Sequence, residues 1–493
     1  MPRRTTTHSA AFYTPPERTR RARRAQVRAA RRLTSAAHAD EQAQARQQRD
    51  AVKAERHDAA YFPSGGEAGQ EALRSYRHFR VPAHRATSQV LAGAYPFLAE
   101  AGLGSQGTFI GHDAWSGSGF CFDPWVLYAR GVLTNPNCLL AGVVGRGKSM
   151  LAKSMATRSI AFGRKVYVPG DPKGEWSVVS HAVGGAVIQL GGGSANRLNP
   201  LDEGPRPAGL TDAAWAVLVT TRRRTLLGSL VESALGRPMG ATEHTALDQA
   251  LGTVVSNSGP STLPAVVDAL FHPSLSDAGS TVEELTVDGR QIGHALRRLV
   301  SGDLAGLFDG ESTVAFDPTL PMITLDLSAI TGSDQLIAMV MTCTSAWMEA
   351  ALSDPDGGQR WVIYDEAWRL MRQPALLARM QAQWKLSRGL GIANLMIIHR
   401  LTDLDAVGSA DSEARALALG LLADCSTKIV YQQETTEAPH TANVLGLSST
   451  EQVELPDLQQ GEGLWRVGNR AFVVRHAVTN TELRTFDTNA RMI

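Results

Sequence analysis

Gly142-Val143-Val144-Gly145-Arg146-Gly147-Lys148-Ser149 is the stretch whose reading decides the fold. It fits the Walker A pattern: a glycine, four free positions, then Gly-Lys-Ser. The apolar run Cys138 to Ala141 before it reads as a buried strand, and Met150 to Phe162 after it reads as a helix, the context the motif requires. The glycines let the backbone curl so that successive amides face one phosphate group, and the following helix adds its positive end. Gly142, Gly145, Arg146, Gly147, Lys148, Ser149 and Met150 are therefore predicted to line a nucleotide, with Lys148 on the β and γ phosphates and Ser149 on Mg²⁺. The chain's own frequencies of Gly, Lys and Ser/Thr give on the order of 0.01 chance matches to this pattern, so a random glycine turn is a poor explanation.

Working outward, a second strand, Val166 to Val168, leads after Pro169 into Gly170-Asp171-Pro172-Lys173-Gly174-Glu175-Trp176. In an open parallel sheet ligands sit at the carboxyl ends of strands, which places Asp171 and Glu175 beside the loop. A third strand, Ala186 to Leu190, precedes Arg197-Leu198-Asn199-Pro200-Leu201-Asp202. From about Leu210 to Leu307 the period becomes helical, as in Trp215 to Ala234 and Glu243 to Val254, with Thr242 as a predicted N-cap. Strand and helix then alternate again: Met322 to Leu327, Asp334 to Leu352, Trp361 to Tyr364.

That last strand ends in Asp365-Glu366-Ala367-Trp368, a Walker B signature. Asp365 is predicted to join the Mg²⁺ shell and Glu366 to polarise the attacking water. The strand Ile392 to Ile398 ends in His399-Arg400, where a motor of this type senses the γ-phosphate, and Arg388 just upstream is a candidate finger into a neighbouring subunit's site. The strand Thr427 to Tyr431, a helix near Thr441 to Leu447, a hairpin Gly463 to Arg475 and a short helix close the chain.

The expected fold is α/β: a RecA-like P-loop NTPase with a mostly parallel sheet, an all-helical insertion and a basic N-terminal arm. The expected divisions are 1–60 for the arm, 61–118 for a small entry region, 119–206 and 311–493 for the two parts of the core, and 207–310 for the insertion. An aromatic-rich strand or edge segment is expected from Gly119 to Tyr128.

Net charge is only +1, but residues 1–57 hold 14 Lys/Arg against 5 Asp/Glu. Such an arm suits nucleic acid, anionic lipid or an acidic partner, as a helix or as a disordered tail. Lysine is scarce, 7 against 42 arginines, yet Lys148 and Lys173 both fall in phosphate-motor motifs, where a compact ammonium differs from a planar guanidinium. The four cysteines lack metal-type spacing and read as buried thiols in a reducing compartment. No run reaches the roughly 20 apolar residues of a membrane span, and no secretory signal is seen, so the expected place is the cytoplasm, at most peripheral to the inner face of the membrane.

In their order, GVVGRGKS, GDPKGEW, RLNPLD, the helical insertion, YDEAW and STKIVYQQ resemble the TraC-like ATPases of conjugative type IV secretion systems, in the FtsK and HerA superfamily of motors. The resemblance covers about residues 119 to 490. It implies ATP and Mg²⁺ as cofactors, a homo-hexameric ring, membrane components of a secretion channel as partners, and ATP hydrolysis that drives assembly or passage. Carried over by position, Lys148, Ser149, Asp365, Glu366 and Arg388 keep the roles given above. Two features depart from the family: His399 stands where glutamine is usual, and there is no room for the large N-terminal domain of longer relatives. An alternative is a DNA-pumping translocase or coupling protein, although such proteins usually carry N-terminal membrane spans and the motor body here is acidic. A nucleotide-gated scaffold is a third reading, opposed by Glu366.

Overall fold

The computed structural model describes residues 20–59, 102–206, 209–257, 259–274, 279–302, 304–352, 354, 357–402 and 412–486. Residues up to 59 form a compact unit distinct from those that follow. The first unit contributes one 40-residue helix, α1 (Arg20–Ala59), whose described side chains, among them Arg24, Arg28 and Arg32, are exposed. The greater part of the expected entry region, residues 61–101, lies outside the described residues.

The second unit is built on one sheet. Its strands are β1 (Thr108–Asp113), β2 (Gly119–Phe122), β3 (Cys138–Ala141), β4 (Lys165–Asp171), β5 (Ala186–Gln189), β6 (Met322–Asp326), β7 (Arg360–Tyr364), β8 (Ile392–Ile398), β9 (Thr427–Tyr431), β10 (Glu462–Val467) and β11 (Arg470–His476). They lie in the order β2-β1-β11-β10-β9-β3-β8-β7-β4-β6-β5. From β9 to β5 every pairing is parallel, and from β9 outward to β2 every pairing is antiparallel. The parallel strands are short continuous apolar runs because both faces are covered.

Alternate residues divide between two cores. Leu139, Val362, Tyr364, Met396 and Val430 face one; Leu140, Trp361, Ile363, Leu395 and Ile429 face the other. The second face is covered by α2 (Pro124–Ala129), α3 (Lys148–Ala161) and α4 (Ser177–Ala182), which supply Trp125, Leu151, Met155 and Val179. The first is covered by the helices of the insertion, α5 (Asp212–Leu235), α6 (Ala241–Ser256), α7 (Leu263–Phe271) and α8 (Val282–Ser301), with α9 (Asp334–Leu352), α10 (Trp368–Met371), α11 (Pro374–Ser387), α12 (Glu413–Ala423) and α13 (Ala438–Leu445), while the short α14 (Ser449–Glu454) follows without burying a side chain.

Several local readings shift. The stretch from Gly119 to Tyr128 is a strand and then a helix, because the Asp123 carboxylate accepts the amides of Trp125 and Val126 and Pro124 starts the helix. β1 belongs to the main sheet, so the hairpin it forms with β2 spans the expected boundary at 119. Thr242 lies inside α6; the cap is Gly240, whose amide donates to Glu243 Oε2 at 2.7 Å. β4 continues past Pro169 to Asp171 through a bulge, between its pairings Val168 to Thr324 and Asp171 to Asp326, where a proline's missing donor does no harm.

The chain end is tied back by Arg158 on α3. Its guanidinium donates to Glu482 on α15 (Asn480–Phe486) at 2.8 and 2.6 Å, and to the carbonyls of Phe109 and Ala477. Burial pushes the Glu482 carboxyl up, but the hydrogen bonds and charge of Arg158 outweigh it and hold the group below its ordinary value. Such a carboxylate contributes stability above its unfolded pKa and loses it as pH falls through the folded one. Arg158→Ala is expected to cost about 3–5 kcal/mol at neutral pH by leaving Glu482 buried and unpaired. The difference from the wild-type chain should narrow as pH falls below the ordinary glutamate range and through the depressed folded pKa, in urea denaturation followed as a function of pH.

Candidate nucleotide site

The loop between β3 and α3 is shaped by steric and polar contacts with β8, β9 and the turn before β10. Gly142 has φ +150°, and a Cβ there would lie 2.6 Å from the Tyr431 Cβ, so no other residue fits. Its amide donates to the His399 carbonyl at 3.3 Å, and the Val143 amide donates to Gln432 at 3.2 Å. The outer limb is held where Gly461 donates to the Arg146 carbonyl at 3.1 Å. Gly147 caps α3 at φ +106°. Lys148 is 4% exposed, and its ammonium donates to the carbonyls of Gly142 and Val143, the latter at 2.9 Å. Burial lowers its pKa to about 8; Asp365 opposes that shift, Lys173 adds to it and Glu366 opposes it, so all four groups feel one another.

Asp365 leaves β7 on the same face as Ile363 and Trp361, the face of α3. It is buried, and its Oδ2 accepts Trp176 Nε1 at 2.9 Å. Burial raises its pKa, against the pull of the Trp176 bond. Glu366 breaks the alternation. It is the non-glycine residue with positive φ among the described residues, at +57°, in the left-handed region that costs about 1–3 kcal/mol and collects at functional sites. Its turn is pinned by the Ala367 amide on the Ile397 carbonyl at 3.2 Å. The Glu366 carboxylate meets three donors: Lys173 Nζ at 2.5 Å, His399 Nε2 at 2.9 Å and the indole of Trp368. Burial alone pushes its pKa up, but the bonds from His399, Lys173 and Trp368 hold it far below the usual carboxylate range. Because the acceptor is a carboxylate, His399 carries its proton on Nε2; its Nδ1 is buried without a partner.

Asp171 turns onto its own loop. Its carboxylate accepts the amide of Trp176 at 2.7 Å and that of Lys173 at 3.3 Å, which shapes the segment that presents Lys173 to Glu366 and Trp176 to Asp365. Glu175 pairs with buried Lys153 of α3 at 3.2 Å, bracing this loop against the P-loop helix. Ser149 and Arg146 are exposed, and Met150 packs partly against the α3 face of the sheet. Arg388 follows α11 and precedes β8, so it is exposed at the amino edge of the sheet, a strand length or roughly 20 Å from the site.

Lys148, Asp365, Glu366 and His399 thus converge at the carboxyl ends of β3, β7 and β8, joined by Lys173. Arg388 does not join them. The indoles of Trp176 and Trp368 stand inside motifs that were legible, but their bonds to Asp365 and Glu366 link segments that sequence spacing does not relate. The 459–461 turn gave no signal at all. Among the described residues no three His, Cys, Asp or Glu side chains form a metal cluster. A separate apolar cavity of about 640 Å³, lined by Leu218, Met348, Leu352, Tyr364 and Trp384, opens on the other face of the sheet.

No known family model matches the chain, and neither does a curated protein. Among solved structures, VirB4 of Thermoanaerobacter pseudethanolicus superposes with a TM-score of 0.64 at 22% identity, over 78% of this chain and 100% of that one. The fold is VirB4-like. The bacterial conjugative coupling protein TrwB gives a TM-score of 0.46 at 14% identity, over 70% of this chain and 85% of that one. The VirB4 match agrees with the α/β P-loop class expected from the sequence: a mostly parallel sheet sandwiched by helices, with the P-loop strand near its middle.

Burial raises the Asp171 pKa to about 7, with the Trp176 amide opposing and Asp365 adding to it. A carboxyl raised in the folded state contributes stability that is full below its unfolded pKa and is lost as pH climbs through the folded one. Asp171→Asn keeps an oxygen for the Trp176 amide, the shorter of the two bonds, and gives up the longer one from Lys173, so it is expected to lose some stability at every pH while flattening the fall of stability between about pH 4 and pH 7. Chemical denaturation at several pH values, without Mg²⁺, reads this directly.

Proposed function

We propose that this chain is an ATPase that hydrolyses ATP to power a conjugative type IV secretion and DNA-transfer apparatus, as a ring of six. The observation that carries the reading is the convergence of Lys148, Asp365, Glu366 and His399 at one edge of a parallel sheet. The residues suit a nucleotide: the glycine cradle at Gly142 admits no side chain, and the Lys148 ammonium rests on loop carbonyls rather than in an ion pair, ready to transfer to phosphate. The loop amides and the amino end of α3 bind the phosphates. Ser149 and Asp365 would hold Mg²⁺, which when bound neutralises charge on the transferring phosphoryl group. Trp176 orients Asp365, Glu366 takes the proton of the attacking water, and His399 fixes Glu366 from the neighbouring strand tip.

The secretion assignment rests on the TraC-like order of motifs together with the VirB4-like fold. Arg388, exposed at the far edge, suits a neighbour's site rather than its own, and this supports a ring. The exposed arginines of α1 suit DNA or the membrane-bound channel as partners of the arm. Among the described residues no helix is long and apolar enough to cross a membrane. In this reading the motor works at the channel's inner mouth.

Wild-type protein with Mg²⁺ is expected to release phosphate from ATP, and Lys148→Ala to slow this by about 100-fold or more. Near-normal turnover in that variant would sink the ATPase assignment. Added DNA should leave turnover flat. A severalfold rise that collapses between roughly 50 and 200 mM salt would instead identify a motor that pumps the DNA itself.

A further inference from the structure

Glu366 presents a chemical difficulty. A residue that takes a proton from water needs an oxygen with free basicity, yet Lys173 and His399 both donate to Oε1 and Trp368 donates to Oε2. Withdrawal of one donor from Oε1 would open that doubly occupied oxygen to water. Trp368 lies two residues along the same turn, and His399 follows the end of β8 with a side chain only 25% exposed, so both have less room to withdraw. Lys173 differs. Its side chain is 47% exposed and ends in the ammonium on Glu366, while its backbone is pinned through Asp171 and through Gly174, which at φ +69° packs on Ser328. The side chain alone is free to swing.

We propose that Lys173 is a second phosphate-reading lysine, whose ammonium passes from Glu366 to the γ-phosphate of a bound nucleoside triphosphate and so frees Glu366 to act on water. The inference rests on the ATPase reading above and deepens it. The exchange is matched in charge: the ammonium trades a carboxylate for a phosphate oxygen, and the carboxylate trades an ammonium for water. The water oxygen then bonds to the γ-phosphorus, the bond to the β–γ bridging oxygen breaks, and the water's proton goes to Glu366, leaving ADP and phosphate. A lysine suits this in a chain that mostly uses arginine, since its three donors on a flexible stem exchange acceptors without the planar register a guanidinium demands. The triphosphate is thus read by the same group that restrains hydrolysis, and ADP, lacking the γ-phosphate, leaves the restraint in place.

The test is calorimetric titration of the full chain with ADP and with a non-hydrolysable ATP analogue, in Mg²⁺. Lys173→Met is expected to weaken the analogue about tenfold or more while ADP changes less than about twofold, and Lys173→Arg to fall between. An equal loss for both nucleotides would assign Lys173 a structural role, and unchanged analogue affinity with slowed turnover would reduce it to orienting Glu366; either overturns the proposal but leaves the ATPase reading standing. Wild-type protein that binds neither nucleotide would end both. ADP affinity doubles as the check on folding, and Lys173→Gln supplies a second neutral variant should the Met variant melt early.

Discussion

The site depends on β8 lying between β3 and β7. Two strand spacings, about 10 Å, separate the strand that feeds the P-loop from the strand that delivers Asp365, and the tip of β8 fills the gap with His399. The pairing is held in register at the opposite edge by a buried polar peg: Asn137 Oδ1 accepts both the amide and the side-chain nitrogen of Asn394, which also reaches Ser387. A slip of one residue would leave these groups unsatisfied and turn each apolar side chain to the wrong core. The spacing of the groups at these strand tips is thus set by backbone pairing, with side chains only refining it.

Within that frame, charges are arranged so that each carboxylate has a different task. Asp171 is spent on backbone amides, Glu175 on Lys153, Asp365 on an indole and the Glu366 amide, and Glu366 on three donors. The two carboxylates of the Walker B strand are pushed in opposite directions, Asp365 up and Glu366 down, although they are adjacent in sequence. The left-handed backbone at Glu366 makes this possible by re-aiming its side chain away from the environment that strand alternation would impose.

Much of this was legible from the chain alone because parallel strands are brief apolar runs bounded by glycine, proline or charge. The limits of β8 and β9 follow from their sequences, and so does the placement of Lys148, Asp365 and His399 at strand tips. What escaped was set by contacts between distant segments. The extension of β4 past Pro169 depends on β6 accepting a bulge, the cap of α6 depends on Glu243 reaching back to an amide, and β1 is recruited by β11, more than 350 residues away. Lys173 stood out by residue type, but its place on Glu366 is a meeting of two loops that no local pattern encodes.

The position of β3 also bears on how this protein comes to exist. Its two neighbours, β8 and β9, enter the chain more than 250 residues after it, so through most of synthesis the P-loop strand has both edges bare. Such non-local parallel pairing folds slowly and leaves apolar edges open to wrong partners. Those edges stay open until β8 and β9 have emerged, and a ligand that binds only the finished loop can draw the last pairing step forward by mass action.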